Sequence, residues 1–176
     1  GNRRARKQLG EHSPKNIGHN ETSRLHSGET TKEMGVHRRD LEQVVTEFRV
    51  ALQELALNGF HFNVSIDRSF PHAACDDSSL LLARYLTDQG FPGAVRVHGE
   101  LGGRNNELRT HVWLKLDGKL IDITGSQFEN YSQPEILIAE NDEFLDTFKV
   151  EREARIADYR QTPGLPRYDF NVAYDA

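Results

Sequence analysis

Apolar residues recur along this chain in two rhythms, each of which predicts a different kind of element. Leu41, Val44, Val45, Phe48, Leu52 and Leu55 return every three or four positions. That is the spacing of one helix face, and it predicts a helix from His37 to about Leu57, ended by Asn58-Gly59. Ser79 to Leu86 is a second strongly helical run. Around Asp117-Gly118 the period is two, with Val112, Leu114 and Leu116 before the turn and Ile121 and Ile123 after it. Asp-Gly between alternating runs predicts a two-residue hairpin turn with positive φ at both positions. Phe60 to Ile66 alternates like a short strand or extended segment. Pro134 to Ala139 and Asp142 to Val150 read as short helices, and Glu151 to Asp158 as a charged helix. Pro163-Gly164-Leu165-Pro166 then breaks the chain before a tail bearing Tyr168, Phe170 and Tyr174, expected to pack on the body. Residues 1–37 carry neither rhythm. Ala5, Leu9, Ile17, Leu25, Met34 and Val36 are too few for a core, so a flexible polar arm is expected ahead of a single domain at 38–176.

The hairpin turn fixes a register, and the register assigns faces. Leu116 should lie opposite Lys119, Leu114 opposite Ile121, Trp113 opposite Asp122 and His111 opposite Thr124. Paired residues share a face, as do residues two apart on one strand. His111, Trp113, Asp122 and Thr124 then point to one side, and Val112, Leu114, Leu116, Ile121 and Ile123 to the other. His111 and Asp122 become diagonal neighbours, with Cα atoms roughly 7–8 Å apart. A carboxylate there can take the Nδ1 hydrogen bond and turn Nε2 outward.

Cys75, the only cysteine, adds a third group. It stands just before the helical run, with Leu82 and Leu86 on its side of the helix, so its sulfur should face the sheet. A helix N-terminus favours negative charge on sulfur, whereas Asp76 and Asp77 beside it oppose that charge unless they cap the helix and point away. Separately, a lone cysteine is an ordinary small hydrophobe and a strand histidine an ordinary packing residue. Together they supply a nucleophile, a base and a group that orients the base.

The stretch from Cys75 through an apolar helix to Gly90-Phe91-Pro92-Gly93-Ala94-Val95-Arg96-Val97 resembles the transglutaminase-like core, with its nucleophile helix and Gly-Ile-Pro-Ala-Arg-like turn. His111-Val112-Trp113 resembles that family's His-x-Trp. Asp122-Ile123-Thr124 resembles its Asp-Pro-Thr, with isoleucine in place of proline. The resemblance covers residues 70–128. It implies an α+β fold of the transglutaminase-like or papain-like kind, a nucleophile-bearing helix packed on an antiparallel sheet. It also implies Cys75 as nucleophile, His111 as general base and acid, and Asp122 as orienting group. The superfamily includes peptidases, amidases, glutamine deamidases, transglutaminases and arylamine acetyltransferases, and fold alone does not choose among them. The backbone N–H of Cys75 is the expected oxyanion donor; no glutamine shortly before it offers a second.

The remaining features narrow the class. Eight histidines contain no His-Glu-x-x-His, and one cysteine forbids a Cys-x-x-Cys site, so no metal or other cofactor is expected. Gly99-x-x-Gly102-Gly103 lacks the Lys-Ser/Thr of a phosphate loop. The first forty residues hold nine basic and five acidic side chains, the rest thirteen and twenty-two. Without an Arg/Lys helix or interleaved aromatics, a basic arm on an acidic body does not predict nucleic-acid binding. No apolar run approaches membrane-span length and none reads as a signal peptide. One unpaired thiol suits a reducing compartment, the cytoplasm or the interior of a cell entered by a secreted effector. The expected activity is cysteine-dependent acyl transfer on a peptide or protein amide, most simply hydrolysis. Deamidation or cross-linking of glutamine is the enzymatic alternative, and an inactive interaction module of the same fold the non-enzymatic one. Trp113, Gln127, Arg109 and Phe128 are the expected substrate walls, and Gly102-Gly103-Arg104-Asn105-Asn106 is either a gate over the cleft or an ordinary hairpin loop.

Overall fold

A computed structural model describes residues 39–59 and 63–176, with the backbone alone described at 151–154. The expected arm at 1–37 lies outside the described residues. Helix α1 spans Leu41–Leu57 and starts later than the expected His37. Asp40 holds an extended backbone there, and its carboxylate accepts the Glu42 N–H, which satisfies one of the first-turn donors. The predicted stripe is the buried face, through Val44, Val45, Phe48 and Leu52. Of the strand or extended segment expected at 60–66, residues 60–62 lie outside the described residues and 63–65 form bends, with Val64 and Ile66 buried.

Helix α2, Cys75–Asp88, begins on the cysteine itself. Three consecutive antiparallel strands follow: β1 Val95–Gly102, β2 Leu108–Leu116 and β3 Lys119–Asp122. Asp117 and Gly118 take φ of 48° and 80°, the doubly positive turn that Asp-Gly demands. Leu116 pairs with Lys119 and Leu114 with Ile121, as the turn dictates. The β2–β3 ladder ends at Leu114–Ile121, so neither the expected Trp113–Asp122 pair nor His111–Thr124 forms, and Asp122 pairs with Leu137 of the next strand instead.

The last third of the chain departs from the sequence expectation. Leu137–Ala139 is strand β4 rather than helix, and 145–147 is a single 3₁₀ turn. Lys149–Ile156, where a charged helix was expected, is strand β5. Its Glu, Arg and Ala have good helix propensity, but the free edge of β1 offers backbone partners along its length, with two register shifts, and that tertiary pairing wins. The sheet order is β4-β3-β2-β1-β5, with every neighbouring pair antiparallel. Helix α3, Arg167–Asp175, carries the aromatic tail; Phe170 is buried, as expected of a docked segment, while Tyr168 faces solvent.

Two cores result, and they separate the residues of the hairpin by face. Leu114, Leu116, Ile121 and Ile123 join α1, α2 and α3 in the larger one. Trp113 joins Val97, Phe144, Leu145 and Phe148 in the smaller, with Phe128 and Tyr131 packed against it. The architecture is α+β.

Candidate active site

The hairpin brings His111 and Asp122 together. His111 is fully buried and Asp122 is 2% exposed, and their side chains meet at 2.7 Å between Nε2 and Oδ2. The nitrogen is the opposite of the one expected, and Nδ1 is the one left without a hydrogen bond. The reason lies in the end of β3. Thr124 leaves the strand and turns back, donating its N–H to Asp122 Oδ1 at 2.9 Å and its hydroxyl at 3.3 Å. That fixes the carboxylate near the strand end, where it reaches the far nitrogen of the ring. A side chain on Gly125 would bring a Cβ to 2.8 Å from Asp122 Oδ2, so glycine is needed behind the carboxylate.

The imidazole sits among aromatic rings: Phe128 edge-on at 4.9 Å, Trp113 and Phe148 each at 5.8 Å. Burial is the largest single influence on its charge and disfavours the cation. The Asp122 charge and hydrogen bond act against burial, with smaller help from the Cys75 thiol. Together they raise the His111 pKa from 6.5 to about 9. Nδ1 is buried and makes no full hydrogen bond, yet the thiol is near enough to join that upward pull.

Cys75 is half-buried at the first position of α2. The turn before it is held in place: Ala73 takes φ of 58°, left-handed backbone that costs a non-glycine residue about 1–2 kcal/mol. Its N–H points at Gln127 Oε1 at 3.4 Å, while Gln127 Nε2 donates to Thr124 O at 3.0 Å. Gln127 therefore ties the turn before Cys75 to the segment that follows Asp122. It also lines a recess of about 230 Å³ with Leu108, Phe128, Glu129, Asn130 and Tyr131. Phe128, expected beside it in a substrate wall, lines the same recess. Trp113, expected in the same wall, is instead buried in the smaller core, where Gly99 and Phe148 pack on it. Arg109 is exposed on β2, and no hydrogen bond or ion pair engages it among the described residues.

The acidic pair beside the thiol does not cap α2, which has no side-chain cap. Asp77 accepts the Ser65 N–H at 2.6 Å, and burial pushes its carboxyl up against the pull of that bond. Asp76 forms a two-pronged pair with Arg96 of β1, at 2.6 and 2.5 Å. Both carboxylates have partners away from the helix end. Arg96 lies in the Gly-Phe-Pro-Gly-Ala-Val-Arg stretch, but nothing in the sequence named its partner.

One further residue escaped the sequence reading. Arg49, 4% exposed in α1, donates Nε to Ile123 O at 2.9 Å and lies 4.4 Å over the Phe70 ring, so one side chain braces both the segment after β3 and the turn that precedes Cys75. Gln53 Oε1, which accepts from Arg49 Nη1 at 3.0 Å, is an ordinary neighbour four positions on, whereas a distant backbone carbonyl and a ring leave no spacing pattern. The loop after β1 is the hairpin connection to β2. Arg104 N donates to the Tyr131 hydroxyl at 3.0 Å, Gly103 N to Thr147 Oγ1 at 2.8 Å, and Tyr131 binds Glu107.

Among the described residues no cluster of His, Cys, Asp and Glu has the form of a metal site, and no helix is long and apolar enough to cross a membrane. Comparison with family models, curated proteins and solved structures yields no match to this chain.

Proposed function

We propose that this protein catalyses cysteine-dependent acyl transfer on an amide bond of a peptide or protein, in the simplest case hydrolysis. One observation carries the reading: a buried Asp122–His111 pair whose free nitrogen, Nδ1, is left for a half-exposed Cys75 at a helix start. A histidine held protonated by Asp122 to about pH 9 is suited to pair with a thiolate at neutral pH. The sulfur attacks the carbonyl carbon, and the C–N bond breaks as Nδ1 gives its proton to the departing amine. Neutral Nδ1 then takes a proton from water, which adds to the thioester and expels the thiolate. An amine in place of water gives transfer, and a glutamine side chain in place of a peptide bond gives deamidation or cross-linking. The chemistry at Cys75 and His111 is the same in each case. What favours the competing reading, a module of this architecture without turnover, is the complete burial of His111.

The test is the rate of iodoacetamide labelling of Cys75 against pH. A free thiol reacts mainly above about pH 8, whereas one paired with an imidazolium reacts well below neutrality. Fast labelling at pH 6 that disappears in both His111→Ala and His111→Gln supports the enzyme. Labelling that rises only near pH 8 in the native chain removes the basis for it.

A further inference from the structure

We propose that Arg96 is a positioning residue for the reactive sulfur: it holds the Asp76 carboxylate as a neutral pair and so keeps that charge from opposing a thiolate at Cys75. The inference rests on the reading of Cys75 as a nucleophile and goes beyond it, because it assigns control of the sulfur's charge to a strand residue outside the triad. Asp76 follows Cys75 directly in the first turn of α2, where both its oxygens are taken by Nε and Nη2 of one guanidinium. A two-pronged pair of this kind fixes direction as well as distance. Asp77, the other acid of the turn, is engaged separately by Ser65.

Charged and titratable groups stand on each of the segments that carry the sulfur, the Asp76–Arg96 pair and the His111–Asp122 pair. His72 lies in the preceding turn, Asp76 and Asp77 on α2, and Arg96 and His98 on β1. His111 and Asp122 lie on β2 and β3, and Arg155 of β5 pairs with Arg96 in the sheet register. Among them, the Asp76–Arg96 pair is the one whose disruption frees a carboxylate one residue from the sulfur. Arg96 and Asp76 are 35% and 45% exposed, so solvent screens the effect without abolishing it, and either can be replaced without opening a core.

The charge arithmetic predicts an ordered pattern. Arg96→Gln adds a net negative charge near the sulfur, Asp76→Asn removes one, and the double variant restores the original balance. Labelling of Cys75 by iodoacetamide is followed from pH 5 to 9 at low ionic strength. On the rising part of the curve Arg96→Gln should label about three- to tenfold more slowly than the native chain. Asp76→Asn should label at least as fast as native, and the double variant close to native. Arg96→Lys should recover part of the loss, and the Arg96→Gln deficit should shrink in 0.5 M salt. A loss of packing would reproduce neither the recovery in the double variant nor the salt dependence. An Arg96→Gln curve that overlays the native one, or a double variant as slow as Arg96→Gln, overturns the proposal. The native curve alone judges the triad, so a failure of the triad and a failure of this inference are read from different comparisons.

Discussion

Replacing Asp122 by asparagine isolates the charge that the site depends on. The amide keeps the size of the side chain, and its oxygen can still accept the Thr124 N–H that Asp122 Oδ1 accepts at 2.9 Å. What disappears is the negative charge 2.7 Å from His111 Nε2. A rise of the His111 pKa from 6.5 to about 9 corresponds to on the order of 3 kcal/mol in favour of the imidazolium. Burial acts in the opposite sense and is the largest single influence, so the variant's pKa should fall below 6.5 rather than merely return to it. The sign for stability follows. A histidine with a raised pKa in the folded protein contributes stability that is complete below pH 6.5 and is lost as pH climbs through about 9.

The measurement is best made in a Cys75→Ala background, which removes the thiol's own titration at the cost of its small upward pull on His111. The ring-proton midpoint of His111 should lie near 9 in the parent and below 6.5 with Asp122→Asn. Denaturant unfolding should show the variant less stable by on the order of 3 kcal/mol at pH 6, with the gap narrowing by pH 9.5. A parent midpoint near 6.5, or a stability gap that is the same at both pH values, would refute the electrostatic account of the pair.

Gly99→Ala should destabilise by about 1–3 kcal/mol, because its new methyl would lie 2.6 Å from Phe148 Cβ and 2.8 Å from the Trp113 ring; equilibrium unfolding reads this directly. Ala73→Gly should stabilise by about 1 kcal/mol, since φ of 58° strains alanine and not glycine, and a loss of stability would count against that turn. Arg49→Met should cost about 2–4 kcal/mol, as it strips the buried Ile123 carbonyl of its donor and removes the cation from the Phe70 ring. Glu107→Gln should weaken the acceptor of the Tyr131 hydroxyl and lower the Tyr131 pKa, which that hydrogen bond raises; ultraviolet titration of tyrosine shows the change.

The parts of this molecule that were legible in the sequence are those governed by local rules. Asp117-Gly118 specifies one turn geometry; the turn specifies the Leu114–Ile121 register, and the register decides which residues go to which core. His111 and Asp122 could therefore be brought together from their positions alone. The choice of nitrogen could not, because it depends on where β3 ends and how Thr124 turns back to hold the carboxylate. Position in the hairpin also placed Trp113 on the functional face without showing that Phe148, thirty-five residues later, would cover it. Phe148 itself stands next to the longest misread segment. Lys149–Ile156 has the composition of a helix and is a strand because β1 has an open edge beside it, and a one-dimensional pattern carries no record of open edges. The same limit hid Arg96 and Arg49. Each acts through a partner at least twenty positions away, Asp76 for one and the Ile123 carbonyl for the other. The His111–Asp122 pairing thus follows from one turn, whereas the partners of Arg96 and Arg49 come from contacts that only the folded chain creates.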